Sequence, residues 1–359
     1  MIYTYKKHKN LLDIINNNQD EYITYYNLPG ATLPDYINNN IDNFRMYKNS
    51  LLMTVRDFKT NLNNKSIDIS RLYTNIKIPK RKGGFREINA PSEELKYIQK
   101  LVTNFFSNQL FVYPHNSAQA YVKHRDTLTN AQIHQNNSMI VALDLKDFFT
   151  SINRTNLKRQ LLKIGNICHT VSENELDEIL DVCLLNEVLP QGSSASPLLS
   201  NLFMVEFDYN IHSYCKRLNI NYTRYADDLF FSGEDIKVNA LIIKINEVIQ
   251  LLDLGIKINT EKTKILRPGK CYVTGVKINK EHHLTFGHEK KKELKYAIYN
   301  LFIKELNGTL VTEEVQQVLG MFSYASRIEP DYFDYLQKYY LNKFNSNHNK
   351  LTAHFKAYL

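Results

Sequence analysis

Two adjacent carboxylates at the tip of an apolar segment are the residues of this chain best suited to chemistry. Asp227 and Asp228 follow Tyr225 and an alanine, and they precede the apolar residues 229–231. These hydrophobic flanks would hold both carboxylates at a buried edge, where like charges side by side are costly without a cation. An isolated Asp-Asp pair is common in solvated turns, so it is the apolar context that favours a cation site.

A third carboxylate, Asp144, ends another apolar run 83 residues before Asp227. Residues 139–145 have the length of a strand, and pairing with a hairpin over residues 222–232 would bring Asp144 beside the Asp-Asp pair. Mg²⁺ prefers oxygen ligands and takes a few carboxylates together with water and substrate phosphates. Two such ions about 3.5–4 Å apart activate an attacking hydroxyl and stabilise a leaving pyrophosphate oxygen. The three aspartates therefore indicate nucleotidyl transfer.

The elements that must position these carboxylates are helices interleaved with short strands. Apolar residues flank a basic glycine turn between Ile76 and Ile88, which predicts two strands, and helical spacing follows over residues 95–105. Ser172 and Glu175 have the spacing of a capping box, and Ser196 before a proline predicts a second helix start with the serine as N-cap.

Further along, the apolar pattern predicts helices, a hairpin and short strands in succession. The predicted elements are a helix over residues 198–218, the hairpin over residues 222–232, a helix over residues 236–254 that ends at Gly255, short strands around Val273 and Leu284, and three C-terminal helices, the last starting at Pro330. The fold class is therefore α+β. No glycine-rich nucleotide loop of the Walker or dinucleotide type occurs.

Composition favours a globular protein with a polyanionic partner. The 359 residues are 43% hydrophobic and carry a net charge of +8. Residues 256–295 contain eleven Lys or Arg against four Glu, which favours a phosphate-facing surface there. The four cysteines lie far apart, which argues against a zinc site or a disulfide framework. Without an apolar run of signal-peptide or bilayer-spanning length, we expect a cytoplasmic protein with no membrane partner.

Three segments resemble the successive palm motifs of reverse transcriptases in order and spacing. They are residues 143–149 (Leu-Asp-Leu-Lys-Asp-Phe-Phe), 189–197 (Leu-Pro-Gln-Gly-Ser-Ser-Ala-Ser-Pro) and 225–228 (Tyr-Ala-Asp-Asp). The resemblance runs from about Lys80 to about Ile278. It implies a right-hand polymerase in which an antiparallel palm sheet packs on helices.

The same resemblance implies four regions along the chain. Residues 1–65 would be an N-terminal extension, 66–140 the fingers, 141–278 the palm, and 279–359 a helical thumb that binds RNA. The extension, which precedes the recognisable fingers, is the main departure from the family pattern.

On that resemblance Asp144, Asp227 and Asp228 are the catalytic metal ligands, and Leu145 lends a backbone carbonyl. The implied cofactor is a pair of Mg²⁺ ions, with Mn²⁺ as an alternative. Phe149 would lie under the incoming sugar, where a bulky ring excludes a 2′-hydroxyl and so favours deoxynucleotides. Without the motif around it, such a phenylalanine is equally well a core residue.

The resemblance also implies a nucleotide pocket around the aspartates. Lys80 and Arg86 would clamp the triphosphate, unless they belong to an ordinary solvated hairpin. Gln191 and Gly192 would border the pocket, where a glycine permits close backbone approach. Lys262 resembles the lysine that protonates departing pyrophosphate, although the local surplus of lysines leaves neighbours that could serve instead.

Two further elements are similar to those of bacterial retron reverse transcriptases. Residues 130–134 (Asn-Ala-Gln-Ile-His) resemble their N-A-x-x-H element, and residues 273–275 (Val-Thr-Gly) their V-T-G element. With the basic stretch, these elements supply the RNA-binding candidates: Asn130, His134, Val273, Thr274, Gly275, Lys290, Lys291 and Lys292. The alternatives are a core histidine at 134 and a strand bend or bulge at 275.

A retron enzyme binds a cognate structured non-coding RNA, starts DNA synthesis from a 2′-hydroxyl of a guanosine in it, and makes branched multicopy single-stranded DNA in antiphage defence. The implied partners are that RNA and its DNA product, deoxynucleoside triphosphates, a separate effector protein and a host ribonuclease H. The competing hypotheses are another bacterial reverse transcriptase, of group II intron or stand-alone defence type, and a non-catalytic RNA-binding protein on a polymerase fold.

One aromatic stripe near the C-terminus has two interpretations. Tyr332, Tyr335, Tyr339 and Tyr340 have helical spacing, which fits either a core face or a set of rings that stack on RNA.

Overall fold

The computed structural model describes residues 41–79, 83–110 and 112–359, in which helices alternate with short strands. The elements up to the middle of the chain are α1 (Ile41–Asn64), β1 (Tyr73–Pro79), β2 (Phe85–Pro91), α2 (Glu93–Asn104), α3 (Thr127–His134), β3 (Met139–Asp144), α4 (Phe148–Ser151), α5 (Arg154–Leu162), α6 (Gly165–Cys168) and α7 (Glu173–Asp181). Those that follow are α8 (Ser196–Phe203), α9 (Val205–Arg217), β4 (Asn221–Tyr225), β5 (Asp228–Gly233), α10 (Val238–Leu251), β6 (Lys264–Leu266), β7 (Cys271–Val273), β8 (Val276–Ile278), β9 (Leu284–Thr285), α11 (His288–Leu306), α12 (Thr312–Ile328), α13 (Pro330–Lys343) and α14 (Leu351–His354). The predicted α+β class is confirmed.

The strands form three sheets. Strands β1 and β2 make an antiparallel pair in which Ile78 lies opposite Arg86. A second sheet has the order β4-β5-β3-β6, and the third has the order β7-β8-β9. In β3 and β5 most apolar side chains are buried, with Leu143, Leu229 and Phe231 at no more than 1% exposure. The apolar runs that predicted these strands are therefore the centre of the core.

The described residues group into two compact units. The first comprises residues up to His124, Ala142–Phe231 and Ile236–Lys264. The second comprises Arg125–Val141, Ser232–Asp235 and Ile265–Leu359. Each unit is assembled from separate stretches of chain, so the units do not coincide with the four continuous regions expected from the sequence, and those regions stay a prediction.

In the first unit, helix α1 packs on α7 through an apolar face and a row of ion pairs. Its buried face includes Leu52, Val55 and Phe58. Lys48 pairs with Glu175 at 2.9 Å, and further pairs join Arg56 to Glu178 and Lys59 to Asp181. Much of the expected N-terminal extension is thus a helix of this unit, while residues 1–40 lie outside the described part of the chain.

The helix starts test the sequence predictions in detail. Ser172 and Glu175 form the predicted capping box at the start of α7, and α13 begins at the predicted Pro330. Ser196 is the first residue of α8 rather than its N-cap. Ala195 holds the N-cap position, and the Ser196 hydroxyl donates to the Pro190 carbonyl at 2.7 Å.

The long helix predicted over residues 198–218 is in fact two helices. Helix α8 ends at Phe203 and α9 begins at Val205, with Met204 between them.

In the second unit, three long helices enclose an aromatic core. Phe302 stacks on Phe344 with ring centroids 4.5 Å apart, and Phe333 packs edge to face against Phe286 at 5.8 Å. No helix in the described part of the chain is both long and apolar enough to cross a bilayer.

Candidate active site

Sheet order brings the three aspartates to one place in the first unit. Asp144 is the last residue of β3, and Asp228 is the first residue of the adjacent strand β5. Asp227 lies in the turn between β4 and β5, where its carbonyl accepts a hydrogen bond from the Leu145 amide at 2.9 Å. Ala226, the first residue of that turn, has a positive φ of 57°, in the left-handed region that tight hairpin turns require.

Burial and mutual repulsion raise the pKa values of the Asp227 and Asp228 carboxyl groups. Burial, followed by the charges of Asp227 and Asp144, raises the pKa of Asp228 from 3.8 to about 6. The pKa of Asp227 is also raised, first by burial and then by Asp144, against the opposing effects of a backbone hydrogen bond, Arg86 and Lys262. Negative charge is therefore concentrated here beyond what the nearby cations neutralise, which favours binding of a further cation.

Lys262 reaches the site because its chain segment pairs with the end of β3. The Lys146 amide donates to the Lys257 carbonyl at 2.8 Å, and the Asn259 amide donates to the Asp144 carbonyl at 2.7 Å. A short 3₁₀ turn then brings the Lys262 ammonium within 2.8 and 3.0 Å of the two Asp144 carboxylate oxygens. That hydrogen bond raises the pKa of Lys262, so the lysine carries a proton at neutral pH.

The donor set fits a hard divalent cation. Three carboxylates and the nearby backbone offer only oxygen ligands, which is the chemistry that Mg²⁺ prefers. Across the residues that the structure describes, no three His, Cys, Asp or Glu side chains converge closely enough to complete a metal site alone.

Phe149 is positioned by the turn that follows β3. Asp147 adopts a left-handed conformation with φ 47° and starts the short helix α4. That helix buries Phe148 and leaves Phe149 half-buried. The Phe149 ring meets the ring of Tyr121 edge to face, with centroids 6.5 Å apart.

Tyr121 is a site residue that the sequence analysis missed. It is 54% exposed, and burial of its hydroxyl and then the charge of Asp227 raise its pKa, with Arg86 acting in the opposite direction. Tyr121 is thus near the aspartates, Phe149 and Arg86. It belongs to an irregular segment with no periodicity or motif, so only the folded structure identifies it.

Gln191 and Gly192 pack against strand β2. The Gln191 carbonyl accepts from the Asn89 amide at 2.6 Å. Gly192 has φ 112°, and a Cβ there would lie 2.7 Å from the Asn89 carbonyl oxygen and 2.8 Å from Ile88 Cγ2. A glycine does permit a close backbone approach here, as expected, but in the described structure the approaching group is strand β2.

Of the two basic residues expected to clamp a triphosphate, the structure describes Arg86 and not Lys80. Arg86 lies exposed on β2 and exerts its charge on Asp227 and Tyr121. Lys80 lies outside the described residues.

The two retron-like elements meet in the second unit. Asn130 and His134, on helix α3, are completely buried. The His134 ring nitrogen Nδ1 is 2.7 Å from the Ser232 hydroxyl, and burial lowers the pKa of His134 to about 3, so the ring is neutral. The Asn130 amide lies 3.5 Å from the Thr274 hydroxyl, which itself donates to the Thr127 carbonyl at 2.9 Å.

Thr274 and Gly275 form the two-residue turn between β7 and β8, both with positive φ, 47° and 85°. Such a pair of values is typical of a type I′ hairpin turn, so Gly275 is neither a bend nor a bulge. No atom lies within 4 Å of a Cβ built at Gly275, and the Lys290 ammonium donates to the Gly275 carbonyl at 2.9 Å.

Some of the RNA-binding candidates are buried and others lie at the surface. Asn130, His134 and Val273 are fully buried and offer no surface to a ligand, and their part in RNA binding stays a prediction. In the interior, Asn130 lies within reach of the Thr274 hydroxyl and His134 contacts the Ser232 hydroxyl. On the surface, Gly275 is exposed and Lys292 lies on α11. The remaining basic candidate, Lys291, pairs with Glu329 at 2.6 Å.

The aromatic stripe on α13 divides in the same manner. Tyr340 is 4% exposed and donates to the Lys295 carbonyl at 3.1 Å, as a core residue does. Tyr335 and Tyr339 are 66% and 43% exposed. The core interpretation therefore holds for Tyr340, while stacking of Tyr335 and Tyr339 on RNA stays a prediction.

Comparisons with known proteins show which family the chain resembles. A family model described as reverse transcriptase (RNA-dependent DNA polymerase) matches residues 78–301. The retron Ec83 reverse transcriptase of Escherichia coli is 31% identical over 295 residues, which cover 79% of this chain and 91% of that protein. The retron Ec86 enzyme of the same species is 31% identical over 265 residues, covering 72% and 76%. The retron Mx162 reverse transcriptase of Myxococcus xanthus is 30% identical over 296 residues, covering 74% and 60%.

Among solved structures, apo telomerase from Candida tropicalis is 14% identical and covers 76% of this chain and 60% of that chain, with a TM-score of 0.43. The family match spans more than half of the chain, and the retron relatives match it over about three quarters of its length. The chain therefore belongs to the retron reverse transcriptases, with the α+β fold of that family, and is an RNA-directed DNA polymerase.

Proposed function

We propose that this polymerase copies part of a cognate structured RNA into DNA, starting from a 2′-hydroxyl of that RNA, and so makes branched multicopy single-stranded DNA for antiphage defence. The observation that carries the catalytic part is the electrostatic coupling of Asp144, Asp227 and Asp228 at the ends of adjacent strands. Membership of the retron family supports the choice of template and primer.

In this proposal the three aspartates and the Leu145 carbonyl hold two divalent cations, Mg²⁺ or alternatively Mn²⁺. When bound, such ions lower the pKa of the attacking hydroxyl and stabilise charge on the leaving oxygen. Lys262 stays protonated beside Asp144. Its proton is available to the departing pyrophosphate, which makes it the general acid of the proposal.

The nucleotide pocket is proposed to lie between Phe149, Tyr121 and Arg86. Tyr121 contacts the Phe149 ring, which restricts the movement of that ring away from an extra hydroxyl. An exposed guanidinium at Arg86 suits a triphosphate, because its planar fork donates two parallel hydrogen bonds. Lys80 and the Gln191–Gly192 segment complete the proposed pocket.

The RNA-binding face is proposed to include the Thr274–Gly275 turn, Lys290 and Lys292. Backbone and lysine contacts of this kind suit the shape-based recognition of structured RNA. Asn130 and His134 would support this face from the interior of the protein. Asn130 lies within reach of the Thr274 hydroxyl, and His134 contacts the strand residue Ser232.

Other partners follow from the proposed reaction. Deoxynucleoside triphosphates are the substrates, a host ribonuclease H would remove copied template, and the defence output would come from a separate effector protein. The proposed location is the cytoplasm, where these partners are found.

The test is to purify the protein with its flanking transcript and analyse the nucleic acid that copurifies. We expect DNA joined to RNA through a ribonuclease-sensitive branch. Free DNA without a branch would instead favour another bacterial reverse transcriptase, of group II intron or stand-alone type. The Asp227→Asn/Asp228→Asn variant should still bind the RNA but make no DNA. DNA synthesis by that variant would contradict the assigned site.

A further inference from the structure

A completely buried ion pair lies directly behind the turn that carries Asp227. The Arg224 and Asp208 side chains are both 0% exposed and are 2.7 Å apart at their closest atoms. Arg224 donates to Asp208 through Nε and one terminal nitrogen. Its other terminal nitrogen donates to Asn201 Oδ1 at 3.0 Å and to the Ala226 carbonyl at 3.3 Å. One guanidinium thus joins α9, α8 and the catalytic turn.

Stability alone is a poor explanation for this pair. Taking both charges out of water costs free energy that their attraction often only offsets, and well-packed apolar residues frequently serve as well or better. What an arginine supplies beyond charge is a rigid planar set of five donors with fixed directions. The contact with Ala226 is informative here, because that residue has a positive φ of 57°, which a non-glycine residue adopts only when its surroundings enforce it.

The backbone of Arg224 is fixed to a second segment of the site. Its amide donates to the Ser117 carbonyl and its carbonyl accepts from the Gln119 amide, both at 2.7 Å. The Asn201 side chain donates to the Ala120 carbonyl at 2.9 Å. The next residue is Tyr121, whose ring meets Phe149. The network therefore reaches both the metal-binding turn and the wall of the nucleotide pocket.

We infer that Arg224 is a positioning residue, which through Asp208 and Asn201 fixes the turn of Asp227 relative to the Tyr121–Phe149 wall. This inference rests on the proposed assignment of the catalytic aspartates. A misplacement of about 1 Å in such a site can cost on the order of 100-fold in rate. Loss of the network should therefore lower kcat, and it should also weaken the discrimination against ribonucleotides that the wall provides.

The decisive variant removes the charges together, so that no buried charge is left unpaired. Tyr222 donates to Asp208 at 2.7 Å, so the variant is Asp208→Leu/Tyr222→Phe/Arg224→Met, and Tyr222→Phe alone is the matched control. On poly(rA)·oligo(dT), we expect the triple variant to lose about 100-fold in kcat, with the KM for dTTP changed by less than about 3-fold. The control should stay within about 3-fold of the parent in both constants.

Amide hydrogen exchange supplies a readout that does not depend on activity or on bound metal. Peptides covering residues 225–229 should exchange at least about 10-fold faster in the triple variant, while peptides from α11 to α13 stay unchanged. Parental kcat and parental exchange in a folded triple variant would overturn the inference and leave the pair a purely structural feature.

A conservative variant keeps the inference testable if the triple variant does not fold. Arg224→Lys retains the charge opposite Asp208 but lacks the fork that also reaches Asn201 and Ala226. We expect it to fold with an intermediate kcat, about 10-fold below the parent, and parental kcat would again overturn the inference. The Asp227→Asn variant distinguishes failure of the proposed catalytic site from failure of the role of Arg224. If Asp227→Asn still makes DNA, the assignment of the site is wrong. If Asp227→Asn is inactive but the triple variant is fully active, only the role of Arg224 is contradicted.

Discussion

Replacing Asp228 by asparagine should stabilise the metal-free protein while it abolishes polymerisation. Burial and the charges of Asp227 and Asp144 raise the pKa of Asp228 from 3.8 to about 6. At about 1.4 kcal/mol per pKa unit, the ionised carboxylate destabilises the fold by about 3 kcal/mol at neutral pH, as an upper bound. Asparagine has the same shape and no charge, so its substitution should recover most of this free energy.

The measurement is thermal unfolding in EDTA. A gain of 2 to 3 kcal/mol corresponds to a Tm rise of roughly 5–10 °C for a unit of this size. The matched control is Asp144→Asn, because Asp144 already accepts two hydrogen bonds from Lys262. Its replacement removes an ion pair as well as a repulsion, so we expect no comparable stabilisation.

The pH dependence of the stability is a second test of how ionised Asp228 affects the free energy of unfolding. The folded pKa of Asp228 lies above its unfolded value, so this group's stabilising contribution is fully present below about pH 4 and is lost as pH rises through about 6. The Tm difference between parent and Asp228→Asn should therefore be largest at pH 7 and disappear near pH 4. A variant that is no more stable than the parent at pH 7, or a Tm difference independent of pH, would refute the proposed repulsion.

Three other substitutions test the site. Phe149→Ala should raise the use of ribonucleotides relative to deoxynucleotides by about 10- to 100-fold in single-nucleotide extension, and an unchanged ratio would exclude the ring as the sugar filter. Gly192→Ala should lower stability by about 2–3 kcal/mol in denaturant unfolding, because its φ is 112° and the added Cβ meets strand β2. Gly308→Ala, with positive φ but open space, should cost only about 1 kcal/mol. Lys262→Met should lower kcat about 100-fold while Lys264→Met has a much smaller effect, and equal effects would argue against Lys262 as the acid.

The aspartates could be found from the sequence because they lie at the ends of apolar runs. Strand-length hydrophobic segments end at Asp144 and begin after Asp228, and adjacent strands of one sheet align such ends. The motifs then supplied the order along the chain. This information is local, and the fold does not override it.

Tyr121, Arg224 and Asp208 could not be recognised in the same manner. Tyr121 lies outside any regular element and meets Phe149 only after folding. Arg224 has a charged side chain in a short strand, which in a sequence favours an exposed position. Its burial depends on Asp208, 16 residues away on α9, and a single sequence does not indicate which acid will face it.

Helix α1 was missed for a different reason. Its apolar residues have helical spacing, but they stand among asparagines and charged residues that weaken the pattern. The ion pairs with α7 that accompany its packing join residues more than 120 positions apart. Local propensity is a weak guide where such tertiary contacts decide the structure.

The polar residues of the N-A-x-x-H element lie in the interior of the second unit. Asn130 and His134 are buried, and their hydrogen bonds go to Thr274 and Ser232. A threonine with φ 47° is strained, because β-branched residues rarely adopt left-handed conformations. The neutral Asn130 amide behind the turn is within reach of the Thr274 hydroxyl and can help to hold that conformation, and a charged group there would be far more costly to bury.

The basic residues around the catalytic turn differ in whether their charge acts on the aspartates. The cations whose fields act on Asp227 and Asp228 are Arg86, Lys262 and Lys264. Arg224 is closer in sequence, yet its guanidinium is neutralised by Asp208 and contacts the turn only through the Ala226 carbonyl, which carries no net charge. An arginine facing the catalytic carboxylates directly would also hold them in place, but it would lower their affinity for divalent cations. Pairing with Asp208 allows Arg224 to fix the geometry of the turn and leave its negative charge available to metal.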